Sequence, residues 1–379
     1  MENYKESILH SLETEHNNRT ILDIIKDKKV VVYGAGAGLV TFFNFVLKRL
    51  FLKNITAILD LKFKAGDIYH DIPAFSPHDF SLSKEEANNT IAIITSGKQE
   101  NYEDMISHLQ KIGIKDIMFG FEFFEYNSYY INPVILNNGT KFYNDNKNNI
   151  LSALDLLEDD LSKEVYTDFV NTFIEHKVKK ISSKPNEEQY FPKDIKMHKG
   201  VSRFIDCGAY TGDTLMQLNE RFGKIDEIIC FEPDKENFKK LNSYINQNHS
   251  KLAREITLIE SAVYSHKCKM NFSGNILASS AISEIGEDVI KCISIDDTIA
   301  DFEPTLIKMD IECAEPFALI GAEKTIRKYK PDLAICVYHL PNHIWEIPLW
   351  VNNLDLGYKF YIRNYMGGPL ETIMYATAE

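Results

Sequence analysis

The chain has no Cys-x-x-Cys pair, and its six cysteines (Cys207, Cys230, Cys268, Cys292, Cys313 and Cys336) all lie in the C-terminal half with none within 20 residues of another. That spacing argues against a zinc ribbon and against a dithiol redox centre. Reduced thiols buried as small hydrophobes are expected, in keeping with a cytoplasmic enzyme. Positive charge is also short: 42 basic residues stand against 55 acidic ones, a formal charge of -13. A chain this acidic is a poor partner for phosphate backbones or anionic lipid, which argues against a nucleic-acid acceptor. No run is apolar enough to span a bilayer, since the best one, residues 39–52, is short and contains Lys48 and Arg49. The first ten residues lack the apolar core of a secretory signal, so a soluble, cytoplasmic protein is expected. No repeat of supersecondary length is present, and 379 residues predict two domains.

What is present is concentrated in two strand-turn-helix signatures. In the first, Phe204-Ile-Asp-Cys-Gly-Ala-Tyr-Thr-Gly-Asp-Thr214 reads as an apolar strand ending at Asp206 and entering a glycine turn, and a second strand ends at Phe231-Glu-Pro233. Gly208 and Gly212 allow backbone to approach a ligand closely. Glu232 follows Gly212 by the distance that a helix and a return strand need, and a carboxylate there can accept both ribose hydroxyls. A nicotinamide cofactor would show the same pair, but the turn lacks the G-x-G-x-x-G phosphate fingerprint, which favours a nucleoside without pyrophosphate, S-adenosylmethionine. Residues 305–323 then read as a strand running into a helix, with Asp310 and Glu312 at the junction. Beside a sulfonium, two carboxylates can orient an acceptor hydroxyl and take its proton. The competing reading is a helix cap and a solvated surface acid.

Taken in order, these segments resemble the FkbM family of S-adenosylmethionine-dependent methyltransferases. The resemblance runs over about residues 200–379. It is carried by Asp206-Cys-Gly-Ala-Tyr-Thr-Gly-Asp-Thr214, Phe231-Glu-Pro233, Ser294-Ile-Asp-Asp297, Ile307-Lys-Met-Asp-Ile-Glu312, Pro331-Asp-Leu-Ala-Ile-Cys-Val-Tyr-His339, Trp345-Glu-Ile-Pro348 and Glu371-Thr-Ile-Met-Tyr-Ala376. It implies a class I methyltransferase-type, mostly parallel sheet flanked by helices. It also implies that Asp206, Gly208, Ala209, Tyr210, Gly212, Asp213 and Thr214 surround the methionine part, while Glu232 and Pro233 lie at the ribose; by topology, Ser261 and Ala262, just after the strand 256–260, are expected at the adenine. Asp310 is the first candidate base and Glu312 the second. His339, ending the apolar run 333–338, is a third candidate base or a hydrogen-bonded structural residue. A divalent ion on Asp310 and other oxygens is compatible with these acids, but no diagnostic ligand spacing marks one. Two positions depart from the family pattern: Cys313 stands where a glycine is usual, which disfavours a positive φ there, and His343 stands where an acid often precedes the tryptophan. Trp345, Tyr358, Phe360, Tyr361 and Tyr365 are candidates to stack on a sugar face, or core rings.

The N-terminal half reads as another α/β unit, so the expected fold is α/β with two Rossmann-like units. Lys29-Val-Val-Val-Tyr-Gly-Ala-Gly-Ala-Gly38 is a strand entering a glycine turn, followed by a helix-length apolar segment and strands at 55–60, 91–96 and 114–118, with a helix over 101–112. Asp60 ends the second strand, where a ribose-binding acid would sit. However, Gly34, Gly36 and Gly38 give G-x-G-x-G, with Leu39 in place of the third fingerprint glycine, so ligand binding and plain scaffold stay open. Between the halves, residues 132–149 are loop-like at Asn137-Asn-Gly139 and from Asn144. Residues 150–180 read as helix, with an apolar stripe at Leu154, Leu157, Leu161, Val165, Phe169 and Phe173 that packs on the catalytic domain or on a partner chain, leaving a homo-oligomer open. The expected division is 1–130, a helical linker at 131–198, and a methyltransferase domain at 199–379. The expected activity is O-methylation of a sugar hydroxyl in a bacterial glycan or nucleotide-linked precursor, a small-molecule or glycan substrate. The rivals are an NAD(P)-dependent oxidoreductase or epimerase using Gly34 to Gly38, and a non-catalytic scaffold of glycan assembly.

Overall fold

The computed structural model describes residues 2–14, 28–36, 39, 54–64, 66–96, 101–119, 140–175, 180–273, 281–282, 288–299 and 301–379. The chain divides into two compact units, one of Met1–Lys5, Asn148–Val170 and Lys180–Glu379, the other of Glu6–Lys147 and Asn171–Lys179. The expectations for the run 39–52 beyond Leu39, for Gly38 and for Asn137-Asn-Gly139 fall outside the described residues.

The smaller unit holds a six-stranded sheet made of β1 (Lys29–Tyr33), β2 (Ile55–Leu59), β3 (Asp67–Tyr69), β4 (Ile72–Phe75), β5 (Thr90–Ile94) and β6 (Asp116–Phe119), in the order β3-β4-β2-β1-β5-β6. All pairs are parallel except β3 with β4, a hairpin whose two turn residues, His70 and Asp71, both have positive φ. The central strands β1, β2 and β5 are Val/Ile/Leu-rich and almost wholly buried, as strands covered on both faces require. Asp60 accepts the Ala35 N–H at 2.6 Å and the Lys62 N–H at 3.1 Å, so its carboxylate is tied into the glycine turn.

The larger unit is built on seven strands: β7 (Arg203–Cys207), β8 (Ile225–Phe231), β9 (Ala253–Ile259), β14 (Leu306–Met309), β15 (Asp332–Cys336), β16 (Lys359–Asn364) and β17 (Thr372–Thr377). Their order is β16-β17-β15-β14-β7-β8-β9. β9, β8, β7, β14 and β15 run parallel, and β17 is antiparallel to both its neighbours. The intervening strands β10 (Ala262–Val263), β11 (Cys268–Ser273), β12 (Ala281–Ile282) and β13 (Asp288–Ile293) make a separate small sheet, order β10-β13-β11-β12. Because β7 is followed by β8 on one side and lies against β14 on the other, the strand order reverses there, and a crevice at the carboxyl ends of β7 and β14 is where such sheets take ligands.

The helical stretch expected over 150–180 is two helices, Lys147–Asp155 and Asp160–Glu175. It breaks where Glu158 N–H bonds to Phe360 O at 3.0 Å. Buried Arg363 on β16 bonds to Asp159 (2.6 Å from Nη2), Asp194 (3.0 Å) and Ser162 Oγ (2.8 Å), fixing the start of the second helix against the sheet edge. Trp345, Tyr358, Phe360 and Tyr365 are core rings, with Tyr358 bonded to Pro331 O, and only Tyr361 of the sugar-stacking candidates is part-exposed. All six cysteines are free, four of them buried.

Candidate functional site

The glycine turn after β7 is shaped by close backbone approach. Gly208 has φ +81°, and a Cβ there would lie 1.9 Å from Asp310 O, so only glycine lets this turn lie against the chain leaving β14. Gly212, at φ +97°, starts the helix Asp213–Phe222, and a Cβ there would press on the Tyr244 ring at 2.8 Å. Ala209 and Thr214 are buried, while Tyr210 (φ 46°) and Asp213 are exposed.

Glu232, buried at the end of β8, laces the two turns together. Its Oε2 accepts the Tyr210 N–H at 2.9 Å and its Oε1 the Asp234 N–H at 2.8 Å, while Gly208 and Ala209 N–H groups reach Phe231 O. Burial pushes its carboxyl up to about 7 in spite of these two backbone bonds. Each oxygen keeps a lone pair for a hydroxyl donor. Ser261 and Ala262 follow β9, both buried; Ser261 Oγ bonds to Glu260 O at 2.7 Å, and Glu232 N–H reaches Ile259 O at 3.2 Å. Pro233 is part-buried beside Glu232.

Asp206 has no exposed surface and faces Lys308, its register partner on β14. Lys308 Nζ lies 3.0 Å from Asp206 Oδ1, donates to Gly208 O at 2.7 Å, and sits 5.0 Å from the centre of the Tyr190 ring. Burial works against the ammonium, but the Asp206 and Asp310 carboxylates outweigh it and hold Lys308 above its ordinary pKa. The structure thus places Asp206 beneath the turn, where its charge reaches the turn through Lys308.

At the ends of β14 and β15, Asp310, Glu312 and His339 come together. His339 Nε2 is 3.3 Å from Asp310 Oδ1 and 3.6 Å from Glu312 Oε2. His339 Nδ1 is 2.8 Å from Oε1 of Glu315, a fully buried carboxylate that also accepts the Ile311 N–H at 2.9 Å and stands 3.7 Å from His343 Nδ1. Tyr190 donates to Asp310 Oδ2 at 2.7 Å, and Gln189 to Glu371 Oε2 at 2.6 Å. Burial lowers the His339 imidazole, but Glu315, Glu312 and Asp310 more than reverse this and hold it well above the usual histidine value. Burial, with Asp310 and Glu315 adding to it, pushes Glu312 up to about 8, and burial with Asp310 pushes Glu371 up to about 7. The expectation that Cys313 would avoid a positive φ is corrected: Glu312 has φ 51° and Cys313 φ 78°, so the tight turn after β14 is kept without the glycine.

Several residues at this site were not singled out by the sequence: Lys308, Tyr190, Gln189, Glu315 and Glu371. Lys308 carried a signal, a lysine inside the otherwise apolar Leu306–Met309 strand; Gln189 and Tyr190 carried none, because a loop 120 residues before Asp310 delivers them.

A family model described as the methyltransferase FkbM domain matches residues 206–360. No curated protein matches the chain. The fold is similar to the crystal structure of a methyltransferase FkbM from Methylobacillus flagellatus KT, with 20% identity and a TM-score of 0.73, covering 98% of this chain and 99% of that one. An rRNA methylase from Streptococcus thermophilus aligns over 47% of this chain and 88% of its own at 10% identity, but its TM-score of 0.30 is too low to carry an argument. Among the described residues no helix is long and apolar enough to cross a membrane. The glycine turn, the acid after β8 and the β14 junction all lie inside residues 206–360, the segment that is similar to the methyltransferase FkbM domain.

Proposed function

We propose that the chain transfers a methyl group from S-adenosylmethionine to a hydroxyl of a sugar, in a glycan or its nucleotide-linked precursor. The observation that carries the reading is the buried Glu232 carboxylate facing the Gly208–Gly212 turn at the switch point, with the Asp310, Glu312 and His339 cluster at the adjoining strand ends. The donor set fits the cofactor: Glu232 would accept the ribose hydroxyls, Ser261 and Ala262 would border the adenine, and residues 208–214 would follow the methionine part. When bound, S-adenosylmethionine supplies a sulfonium-activated methyl group. The chain's own task is alignment and charge. The carboxylate cluster orients the acceptor hydroxyl and takes up its proton, with Glu312, near 8, more basic than Asp310, which His339 and Lys308 hold low against burial. The choice of a sugar rests on the family resemblance.

Titration calorimetry with S-adenosylhomocysteine tests the reading. The wild type should bind, and Glu232→Ala should bind about 10-fold to 100-fold more weakly, the size of a lost charged hydrogen bond. Equal affinity in the mutant removes the ribose assignment, and no affinity in the wild type removes the methyl-donor reading. NAD(H) in the same cell tests the oxidoreductase alternative.

A further inference from the structure

We propose that Asp310, Glu312 and His339 bind a divalent first-row transition cation, and that the acceptor hydroxyl is a further ligand of that ion. The acceptor's part rests on the methyl-transfer reading above; the binding of the ion does not.

Three observations carry it. The first is spacing. The Nε2 to carboxylate distances of 3.3 and 3.6 Å are long for charged hydrogen bonds. They match the edges of a coordination shell, since four ligands at about 2.1 Å from a tetrahedral ion stand about 3.4 Å from one another. One ligand atom from each of the three residues lies within 4.8 Å of the others. The second is the histidine itself. Its side chain is 5% exposed, and neither ring nitrogen meets hydrogen-bond geometry among the described residues, although Nε2 stands near both carboxylates. On the other side of the ring, Glu315 Oε1 stands 2.8 Å from Nδ1, the carboxylate–histidine arrangement that keeps a proton on Nδ1 when an ion displaces the one on Nε2. Glu315 is itself fixed by the Ile311 N–H, so the ring orientation is set before any ion arrives.

The third is charge. Asp310, Glu312 and Glu315 stand 3.3, 3.6 and 2.8 Å from one imidazole, while the neighbouring Lys308 bonds to Asp206 and Gly208 O. A dication at Nε2 can draw both facing carboxylates into direct contact, which an imidazole proton cannot. Two carboxylates with an imidazole suit Mn2+, Fe2+ or Zn2+ better than Mg2+ or Ca2+. Asp310 and Glu312, 24% and 28% exposed, leave one side of the cluster open for an acceptor oxygen.

Mn2+ added to the chelator-treated full-length chain, without methyl donor, provides the test by electron paramagnetic resonance and calorimetry. About one Mn2+ per chain should bind, displaced by Zn2+ but not by equal Mg2+. Glu312→Gln and His339→Gln should each weaken Mn2+ binding at least about 10-fold, and Glu315→Gln, which removes no ligand, about 10-fold to 100-fold. S-adenosylhomocysteine affinity and the thermal midpoint, measured on each variant, report whether it is folded. Absence of saturable Mn2+ binding by the wild type, or wild-type Mn2+ affinity in folded Glu312→Gln and His339→Gln, overturns the ion site. If S-adenosylhomocysteine binds and Mn2+ does not, the ion falls and the methyl-donor reading stands; the reverse result keeps the ion and removes that reading.

Discussion

Glu232 shows how one buried acid links the turns to a pH response. Its carboxyl is raised from 4.5 to about 7, so the protonated form is favoured by the fold. The corresponding stability is fully present below about 4.5 and is lost as pH rises through about 7. The ribose contact proposed for Glu232 would have the opposite preference, because the ionised carboxylate is the stronger acceptor. S-adenosylhomocysteine affinity should therefore climb up to about 10-fold between about pH 6 and pH 8, as the ionised fraction rises. In Glu232→Gln calorimetry should give a flat profile, and a flat wild-type profile would count against the assignment. Gly208 is the other decisive residue. Gly208→Ala puts a methyl group 1.9 Å from Asp310 O at a φ that alanine resists, and should cost at least about 2 kcal/mol in urea unfolding. An unchanged midpoint would mean that the two turns do not need this approach.

At the level of elements, the parallel pair β7–β14 is joined by more than its ladder. Asp206 and Lys308 oppose each other in register and are both almost wholly buried. Lys308→Met leaves Asp206 as a buried charge without its partner and should destabilise the protein by about 3–5 kcal/mol. Adding Asp206→Asn should return much of that loss, a coupling that a double-mutant cycle in urea measures directly; additive losses would show that the two groups act separately. The same strands illustrate what a sequence conveys. Runs at 204–207, 306–309 and 333–336, apolar but for Asp206 and Lys308 in the first two, announced buried strands, because a strand covered on both faces holds mainly apolar side chains. The helix break near Glu158 was invisible to periodicity, since the bond that makes it comes from Phe360 on β16, some 200 residues away.

For the molecule as a whole, the charge of -13 sets what it meets. A random DNA duplex at about 0.15 M salt should not be retarded in a gel-shift experiment, because sequence-independent binding draws on a basic surface in excess. Candidate sugar nucleotides incubated with the protein and S-adenosylmethionine should instead gain the mass of one methylene group by mass spectrometry, and a gain at an amine or a carboxylate would overturn the hydroxyl assignment. The sequence by itself determined the two α/β units, the five parallel strands of the larger sheet, the glycine turn, and the presence of acids at 232, 310 and 312 beside strand ends, because these follow from local pattern: apolar runs, glycine where backbone must approach, acids at strand ends. Only the tertiary structure decided what those acids touch. It turned Asp206 under the turn to face Lys308, tied Glu232 to the Tyr210 and Asp234 amides, and brought Tyr190, Glu315 and His339 to Asp310. Such contacts join strand ends and loops far apart in the chain, and their energies come from burial and charge proximity, which exist only once the sheet is assembled.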